Sequence, residues 1–207
     1  MDLIIFARYW EPGHVKTRLC PPLTPEQAAA ISRHCLDILL RKVMTIPYLT
    51  AIIAFEPRAT RAEFAARYPR AKLLCQQGDD LTAKLLHLLA RRDAPCLITG
   101  SDCPTVPPAY YQQAAEALDH DAEVILGSTR DGGSYLLGVR PACREWFRDI
   151  PWSTPAVSAA LRRRAREHRW RLHELPRWYD IDTIEDLAEL AGTSEFADIL
   201  SILQRVC

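Results

Sequence analysis

The chain lacks the features that mark several large classes of protein. Its longest apolar runs are far too short to cross a membrane, and Asp2 stands where a secretory signal would carry basic residues. The 26 Lys and Arg balance the 26 Asp and Glu, so no overall field attracts nucleic acid or an anionic membrane. We therefore expect a cytoplasmic protein with no membrane span and no nucleic-acid partner.

The common cysteine and nucleotide motifs are missing as well. The seven cysteines, an odd number, include no C-x-x-C pair and no nearby histidine at zinc-finger spacing, so we expect reduced thiols. The sequence has neither a G-x-x-x-x-G-K-[ST] loop nor a G-x-G-x-x-G dinucleotide motif. A Ser-His-Asp or Cys-His arrangement is also missing, so any catalysis would depend on other groups.

The composition and the hydrophobic pattern predict one α/β domain spanning residues 1–207. With 48% hydrophobic and 25% charged residues, the chain is long enough for one sizeable core and short for two. Short apolar runs alternate with capped amphipathic helices, which is typical of a mostly parallel sheet with helices on both faces. Expected strands cover residues 2–7, 48–55, 71–75, 95–99 and 171–175, and an expected strand pair covers 123–128 and 134–139. Capping signals begin the expected helices at Thr24, Thr60, Asp79 or Asp80, Ser153 or Thr154, and Thr183.

The loop after the first expected strand indicates a phosphate site. Gly13 lets the backbone approach an anion closely, and Lys16, Thr17 and Arg18 add donors within a few residues. Lysine supplies a point charge and arginine a two-pronged fork. A solvated turn with two surface cations remains the alternative interpretation.

Three acids stand where they could hold a metal ion. Asp102 follows an apolar run directly, which places it at the carboxyl end of a strand, where open α/β sheets bind ligands. It either caps the next turn or holds Mg²⁺, which usually takes one or two carboxylates plus substrate phosphates. Asp180 and Asp182 point the same way from an extended segment, and either could meet that metal. The alternative is a pair of solvated acids before a helix.

Two further motifs have both a structural and a functional interpretation. Residues 131–133, Asp-Gly-Gly, suit a tight hairpin, but the missing side chains could also leave room for a substrate. Residues 152–155, Trp-Ser-Thr-Pro, supply a helix cap, and the indole would also suit a base, a sugar or a phosphate.

Taken together and in order, these motifs resemble a known family, the radical-SAM/selenodomain-associated transferases. These are GT-A-fold, nucleotide-diphospho-sugar transferase-like proteins, and many are labelled glycosyltransferases. The resemblance covers nearly the whole chain and is carried by Phe6-Ala-Arg8, Pro12-Gly13-His-Val-Lys-Thr-Arg-Leu19, Gln76-x-Gly78-x-Asp80-Leu81, Gly100-Ser-Asp-Cys-Pro104, Asp131-Gly-Gly133, Tyr135-Leu-Leu-Gly138, Ile150-Pro-Trp-Ser-Thr-Pro155 and Asp180-Ile-Asp-Thr183 with Glu185-Asp-Leu187.

The resemblance implies a nucleotide site that uses a divalent metal, Mg²⁺ or Mn²⁺. In that interpretation Asp102 holds the metal with Asp182 as the second acid and Asp180 beside it, and the catalytic residues are Lys16, Asp102 and Asp131. The nucleotide would contact Arg8, Gly13, Lys16, Thr17, Arg18, Gln76, Gly78 and Asp80. The acceptor would lie near Asp131, Gly132, Gly133, Trp152, Ser153 and Thr154.

The resemblance leaves the reaction open between two kinds of transfer. The donor is either a nucleotide-sugar, from which a sugar passes to a small-molecule acceptor, or a nucleoside triphosphate, from which pyrophosphate leaves. The second reaction follows from similarity to the phospholactate and molybdenum-cofactor guanylyltransferases. The chain departs from the family pattern at Arg8, Thr82, Lys84 and Ser134. The last three departures also raise a non-catalytic nucleotide-binding or partner module as a third hypothesis.

Overall fold

A computed structural model describes residues 1–56, 61–190 and 194–204 of the chain. Its strands are β1 (Asp2–Ala7), β2 (Thr50–Phe55), β3 (Lys72–Cys75), β4 (Cys96–Gly100), β5 (Val124–Thr129), β6 (Ser134–Val139) and β7 (Leu172–Trp178). Its α-helices are α1 (Pro25–Val43), α2 (Arg61–Arg67), α3 (Leu81–Leu89), α4 (Pro108–Asp119), α5 (Val157–Glu167), α6 (Ile184–Ala188) and α7 (Ala197–Gln204). None of the helices in these ranges is long and apolar enough to span a membrane.

The strands form one seven-stranded sheet in the order β3-β2-β1-β4-β6-β5-β7. The pairs β1–β2, β1–β4, β2–β3 and β5–β7 are parallel, whereas β6 runs antiparallel to both β4 and β5. The prediction of a mostly parallel sheet interrupted by a strand pair is confirmed. Six of the seven strands therefore direct their carboxyl ends to the same edge of the sheet, which is where ligands bind in open α/β sheets.

Hydrophobic residues cover both faces of the sheet. One core joins the sheet to α1, α2 and α4 through residues such as Leu39, Phe64 and Tyr111. The other joins it to α3 and α5 through residues such as Leu88 and Leu161. Each fully buried aliphatic side chain contributes about 1.5–3 kcal/mol relative to exposure, so the two cores fix the sheet that carries the site.

Helix capping agrees with the sequence at several starts and differs at one. Thr24 and Thr183 form the expected capping boxes, and the Asp80 side chain accepts a hydrogen bond from the Ala83 amide. The prediction that Ser153 or Thr154 caps α5 is wrong, because that helix begins at Val157. The Thr154 hydroxyl instead closes a turn before the helix, donating to the Pro151 carbonyl at 2.7 Å. The expected cap at Thr60 lies outside the described residues.

Candidate functional site

Three loops that are distant in sequence meet at the carboxyl edge of the sheet. They follow β1, β4 and β7, and backbone hydrogen bonds connect the segments. The Ser101 amide donates to the Phe6 carbonyl at 3.2 Å, and the Ile181 amide donates to the Asp102 carbonyl at 2.9 Å. These two bonds join the end of β1 to the segment that carries Asp102, and that segment to the one that carries Asp182.

Lys16 is at the centre of this junction. Its side chain is only 3% exposed, and Nζ lies 2.6 Å from Asp102 Oδ1 and 3.0 Å from Asp182 Oδ1. The same nitrogen also donates to the Ile181 carbonyl. Burial alone would lower the pKa of this amine, but the adjacent Asp102 carboxylate raises it above its ordinary value. Lys16 therefore stays charged and holds the two acids together.

The rest of the loop faces outward. Lys16 has left-handed backbone angles, φ 49° and ψ 36°, and precedes a single 3₁₀ turn, Thr17–Leu19. Thr17 is exposed, and the Arg18 side chain is 74% exposed with a terminal nitrogen 3.8 Å from Asp182 Oδ2. Gly13 has φ +80°, and no atom lies within 4 Å of where a Cβ would stand. The backbone of the loop is thus accessible at Gly13, and the Arg18 side chain extends into solvent, whereas the Lys16 side chain is buried.

Asp180 and Asp131 lie near this junction in contrasting surroundings. Burial raises the pKa of Asp180 to about 6, and the neighbouring Asp182 charge adds to the effect. The pKa of Asp131 is held below its usual value because the Thr129 hydroxyl donates to its carboxylate, as does the Gly133 amide at 3.1 Å. We call Asp102, Asp131, Asp180 and Asp182 the acidic cluster.

The donor set of Asp102 and Asp182 fits a divalent cation. One oxygen of each carboxylate already lies within 3.0 Å of a single positive charge, the ammonium of Lys16. The two side chains are 47% and 36% exposed, so a ligand from solvent can reach both carboxylates. Within the described ranges no group of three or more His, Cys, Asp or Glu side chains is placed so that it could hold one metal ion. Two carboxylates completed by substrate phosphates is a usual arrangement for Mg²⁺.

The Asp-Gly-Gly turn is packed against the segment that precedes α5. Gly132 has φ +92°, and a Cβ there would lie 2.0 Å from the Pro155 carbonyl oxygen. The Ser158 amide donates to the Gly132 carbonyl at 2.9 Å, and its hydroxyl donates to the Gly133 carbonyl. The space beside Gly132 is therefore filled by protein backbone, which supports the structural interpretation of this glycine.

Trp152 is anchored to the start of α3. Its indole nitrogen donates to the Thr82 hydroxyl at 2.8 Å, and its ring centroid lies 6.3 Å from that of Phe147. Ser153, the next residue, has a left-handed φ of 63°. Thr82 stands where the resembled family has glycine, so this departure from the pattern supplies the hydrogen-bond acceptor for the indole. No pattern in the sequence pairs the two residues.

A cleft of about 500 Å³ opens on the same edge of the sheet, beyond β1 and β2. The Glu56 carboxylate in its wall lies 3.7 Å from Arg8 Nε and 3.9 Å from Lys84 Nζ. Gly78, with φ +129°, brings the backbone close to α3, since a Cβ there would be 2.7 Å from the backbone nitrogen of Lys84. The cleft is lined by Arg8, Tyr9, Glu11, His14, Val15, Glu56, Gly78 and Lys84.

The structure brings some of the predicted nucleotide residues to this cleft and not others. Arg8 and Gly78 line it, whereas the Gln76 side chain is buried and donates to the Ala54 carbonyl at 2.7 Å. The Asp80 carboxylate caps α3. Glu56 was missed by the sequence reasoning, although its position directly after a strand at the ligand-binding edge was a usable signal.

Several solved structures have the same fold as this chain. A proposed nucleotide-diphospho-sugar transferase from Desulfovibrio desulfuricans G20 has a TM-score of 0.87 and 28% identity, with 99% of this chain and 94% of that chain covered. A cytidylyltransferase from Leptospira borgpetersenii serovar Hardjo-bovis has a TM-score of 0.59 and 15% identity, with 99% and 93% covered. Rv0371C from Mycobacterium tuberculosis H37Rv, in complex with manganese, has a TM-score of 0.56 and 16% identity, with 93% and 97% covered.

These structures share the nucleotide-diphospho-sugar transferase-like fold with the chain. No curated protein matches its sequence. The sequence model described as "Uncharacterized protein conserved in bacteria (DUF2064)" matches residues 39–154. Because this match covers more than half of the chain, the protein belongs to the DUF2064 family.

Proposed function

We propose that the protein is a metal-assisted transferase that moves a sugar from a nucleotide-diphospho-sugar to a small-molecule acceptor. The observation that carries the proposal is the convergence of Lys16, Asp102 and Asp182 on one edge of the sheet, beside an open cleft. The choice of a sugar as the transferred group is supported by the likeness to the Desulfovibrio desulfuricans protein over almost the whole chain. An association with radical-SAM proteins stays a prediction.

The cleft has the size and the lining residues expected of a nucleotide-binding site. Its volume of about 500 Å³ lies within the range of small-molecule sites. Tyr9 offers an aromatic face, and Arg8, Glu56 and Lys84 offer charged hydrogen-bonding groups. A nucleoside placed there would direct its phosphates towards the open backbone at Gly13 and the acidic cluster.

The phosphates would be held by the cationic loop and by a divalent cation on Asp102 and Asp182. Such a cation, when bound, neutralises charge on phosphate oxygens and on the departing nucleoside diphosphate. Thr17 and Arg18 face outward and can donate to those oxygens. In sugar transfer the acceptor hydroxyl would lose its proton and attack the anomeric carbon, and the bond from that carbon to the nucleoside diphosphate would break. This reaction needs mainly positioning and neutralisation of the leaving group's charge, so a nucleophilic triad is unnecessary.

The remaining acids of the cluster would orient the acceptor. Asp131 is ionised well below neutral pH because Thr129 and Gly133 donate to it, so it accepts a hydrogen bond better than it takes a proton. Asp180, with a pKa of about 6, is closer to the range in which a carboxylate removes a proton from an attacking hydroxyl. Asp131 would therefore position the acceptor, and Asp180 would remove its proton.

Nucleotidylyl transfer is the second candidate. An acceptor phosphate would attack the α-phosphorus of a nucleoside triphosphate, and pyrophosphate would leave. The fold shared with a cytidylyltransferase and the Lys-Thr-Arg loop support this reaction, which would use the same residues.

Product analysis separates the two reactions. The protein is incubated with Mg²⁺, a panel of nucleotide-sugars and nucleoside triphosphates, and mixtures of small hydroxyl and phosphate acceptors. Release of a nucleoside diphosphate supports sugar transfer, and release of pyrophosphate supports nucleotidylyl transfer. Asp102→Asn is the control and should abolish either product.

Ligand-induced stabilisation tests whether a nucleotide binds at all. A nucleotide at 100 times its dissociation constant adds about 2.7 kcal/mol to the free energy of unfolding. If no nucleotide with Mg²⁺ raises the melting temperature, both enzymatic proposals fail.

A further inference from the structure

We propose that the ammonium of Lys16 is a built-in counter-ion that a divalent cation must displace, which makes metal and phosphate bind cooperatively. The inference rests on the proposed nucleotide and metal site and adds the order and coupling of its ligands. Lys16 thereby has two positions: on the acids when no divalent cation is bound, and on phosphate when cation and nucleotide are both bound.

The hydrogen-bond donors of the Lys16 ammonium are saturated. An ammonium has three N–H donors and no acceptor. Nζ has three oxygen partners, one each from Asp102, Asp182 and the Ile181 carbonyl. Since the side chain is only 3% exposed, a phosphate has no free donor to engage while these contacts persist.

Lys16 and a divalent cation would compete for the same carboxylate oxygens. Nζ lies 2.6 Å from Asp102 Oδ1 and 3.0 Å from Asp182 Oδ1. Mg²⁺ bound to those oxygens would stand about 2.0–2.1 Å from each of them. An ammonium and a divalent ion on the same pair of oxygens would be only a few ångströms apart and would repel strongly in a partly buried site. Each cation therefore weakens the binding of the other.

Displacement of the Lys16 ammonium from the acids leaves a positive charge that needs a new partner. Moving the Lys16 amine from the acids without a new anion leaves a desolvated ammonium, which is costly. Nucleotide phosphate supplies that anion beside the exposed Thr17 and Arg18. Metal alone should accordingly bind weakly, and phosphate should tighten it. By linkage the metal must tighten phosphate by the same factor.

The loop has the freedom that this exchange requires. Gly13 is followed within three residues by Lys16, and nothing fills the space beside Gly13. Lys16 itself has a left-handed backbone conformation that lysine seldom adopts, so its present position is not the backbone's preferred state. Release of its side chain from the acids would allow that strain to relax.

Mn²⁺ binding without nucleotide, measured by electron paramagnetic resonance of the free ion, tests the proposal. Lys16→Met keeps the length of the side chain and removes its charge, and it should bind Mn²⁺ at least tenfold more tightly than the wild type. Arg18→Met is the matched control, because it removes a neighbouring cation that lies 3.8 Å from Asp182 but is 74% exposed. Its effect on Mn²⁺ affinity should be less than threefold.

Inorganic pyrophosphate is the probe for coupling. After correction for Mn²⁺ chelation in protein-free mixtures, pyrophosphate should tighten Mn²⁺ binding to the wild type by tenfold or more. The same addition should have a much smaller effect on Lys16→Met, because no ammonium is left to transfer to the phosphate.

Amine labelling of the wild type keeps the proposal testable if Lys16→Met does not fold. In metal-free protein Lys16 should react much more slowly with an acetylating reagent than the exposed Lys72, as followed by peptide mass spectrometry. Saturating Mn²⁺ alone should speed the labelling of Lys16 several-fold. Unchanged labelling at Mn²⁺ saturation would show that the amine stays on the acids, and the displacement proposal would be wrong.

The outcomes separate this inference from the proposed function. If Mn²⁺ binds the wild type as tightly as Lys16→Met and binding is lost in Asp102→Asn, the metal site stands and the displacement fails. If Mn²⁺ binds neither the wild type nor Lys16→Met, with or without pyrophosphate, the metal site is wrong and both proposals fall.

Discussion

Two regions at the same edge of the sheet differ in how tightly their charges are paired. Around Lys16, ammonium and carboxylate atoms lie 2.6 and 3.0 Å apart and the amine is buried. In the cleft, Glu56 lies 3.7 and 3.9 Å from its two cations, and the Arg8 side chain is 70% exposed. The first region is closed by its own cation, whereas the second is open. A closed region stabilises the loops that form it, and an open one keeps its groups available to a ligand.

Two glycines at this edge of the sheet also differ in how much space surrounds them. We expect Gly132→Ala to lower the free energy of unfolding by about 3 kcal/mol, because the new Cβ would overlap the Pro155 carbonyl. Gly13→Ala should cost only about 1 kcal/mol, since it has a strained φ but free space. Urea unfolding of both variants measures the difference, and equal losses would remove the contrast in packing.

The paired charges should differ in their contribution to stability. Asp102→Asn weakens a charge-assisted hydrogen bond to a buried ammonium, and we expect a loss of about 2 kcal/mol in the free energy of unfolding. Glu56→Gln removes only two long ion pairs at a partly exposed site, and its effect should stay within about 0.5 kcal/mol. Chemical denaturation without metal or nucleotide provides the comparison. A larger loss for Glu56→Gln would reverse our assignment of closed and open regions.

The pH dependence of Asp180 should give the smallest effect. Its pKa is raised to about 6 in the folded protein, so the folded state holds the proton more strongly than the unfolded chain, whose ordinary value is about 4. The related stability is present at low pH and is lost as the pH rises from about 4 to about 6. Asp180→Asn, which stays neutral, should match the wild type at the acid end and exceed it by roughly 1 kcal/mol above pH 7. This is less than the ~2.7 kcal/mol of a full two-unit shift, because Asp180 is partly exposed and solvent screens its charge.

Thermal melts at several pH values between 4.5 and 8 measure this difference. Asp131→Asn is the control, because the pKa of Asp131 is lowered rather than raised. If the stability advantage of Asp180→Asn over the wild type does not increase with pH, the pKa of Asp180 is not raised in the folded protein.

The sequence predicted those features that depend on neighbouring residues. Apolar runs located the strands, and the Thr24 and Thr183 boxes located two helix starts, because a cap needs only groups within one turn. Asp102 could be placed at the ligand-binding edge because it directly follows β4. The burial of Lys16 was not predictable in this way, since it depends on a contact with Asp182 across 166 positions. The Trp152–Thr82 hydrogen bond spans 70 positions and has the same cause.

The antiparallel direction of β6 has a consequence for which loops can vary in length among relatives. Because β6 returns beside β5, the chain crosses the functional edge there in one short turn, without the helical crossover that joins parallel strands. That turn is wedged against Pro155 and bonded to Ser158, so an inserted residue would displace Asp131 directly. The loop after β1, by contrast, has room at Gly13. We expect relatives to differ in length at the first loop and to keep the length of the hairpin.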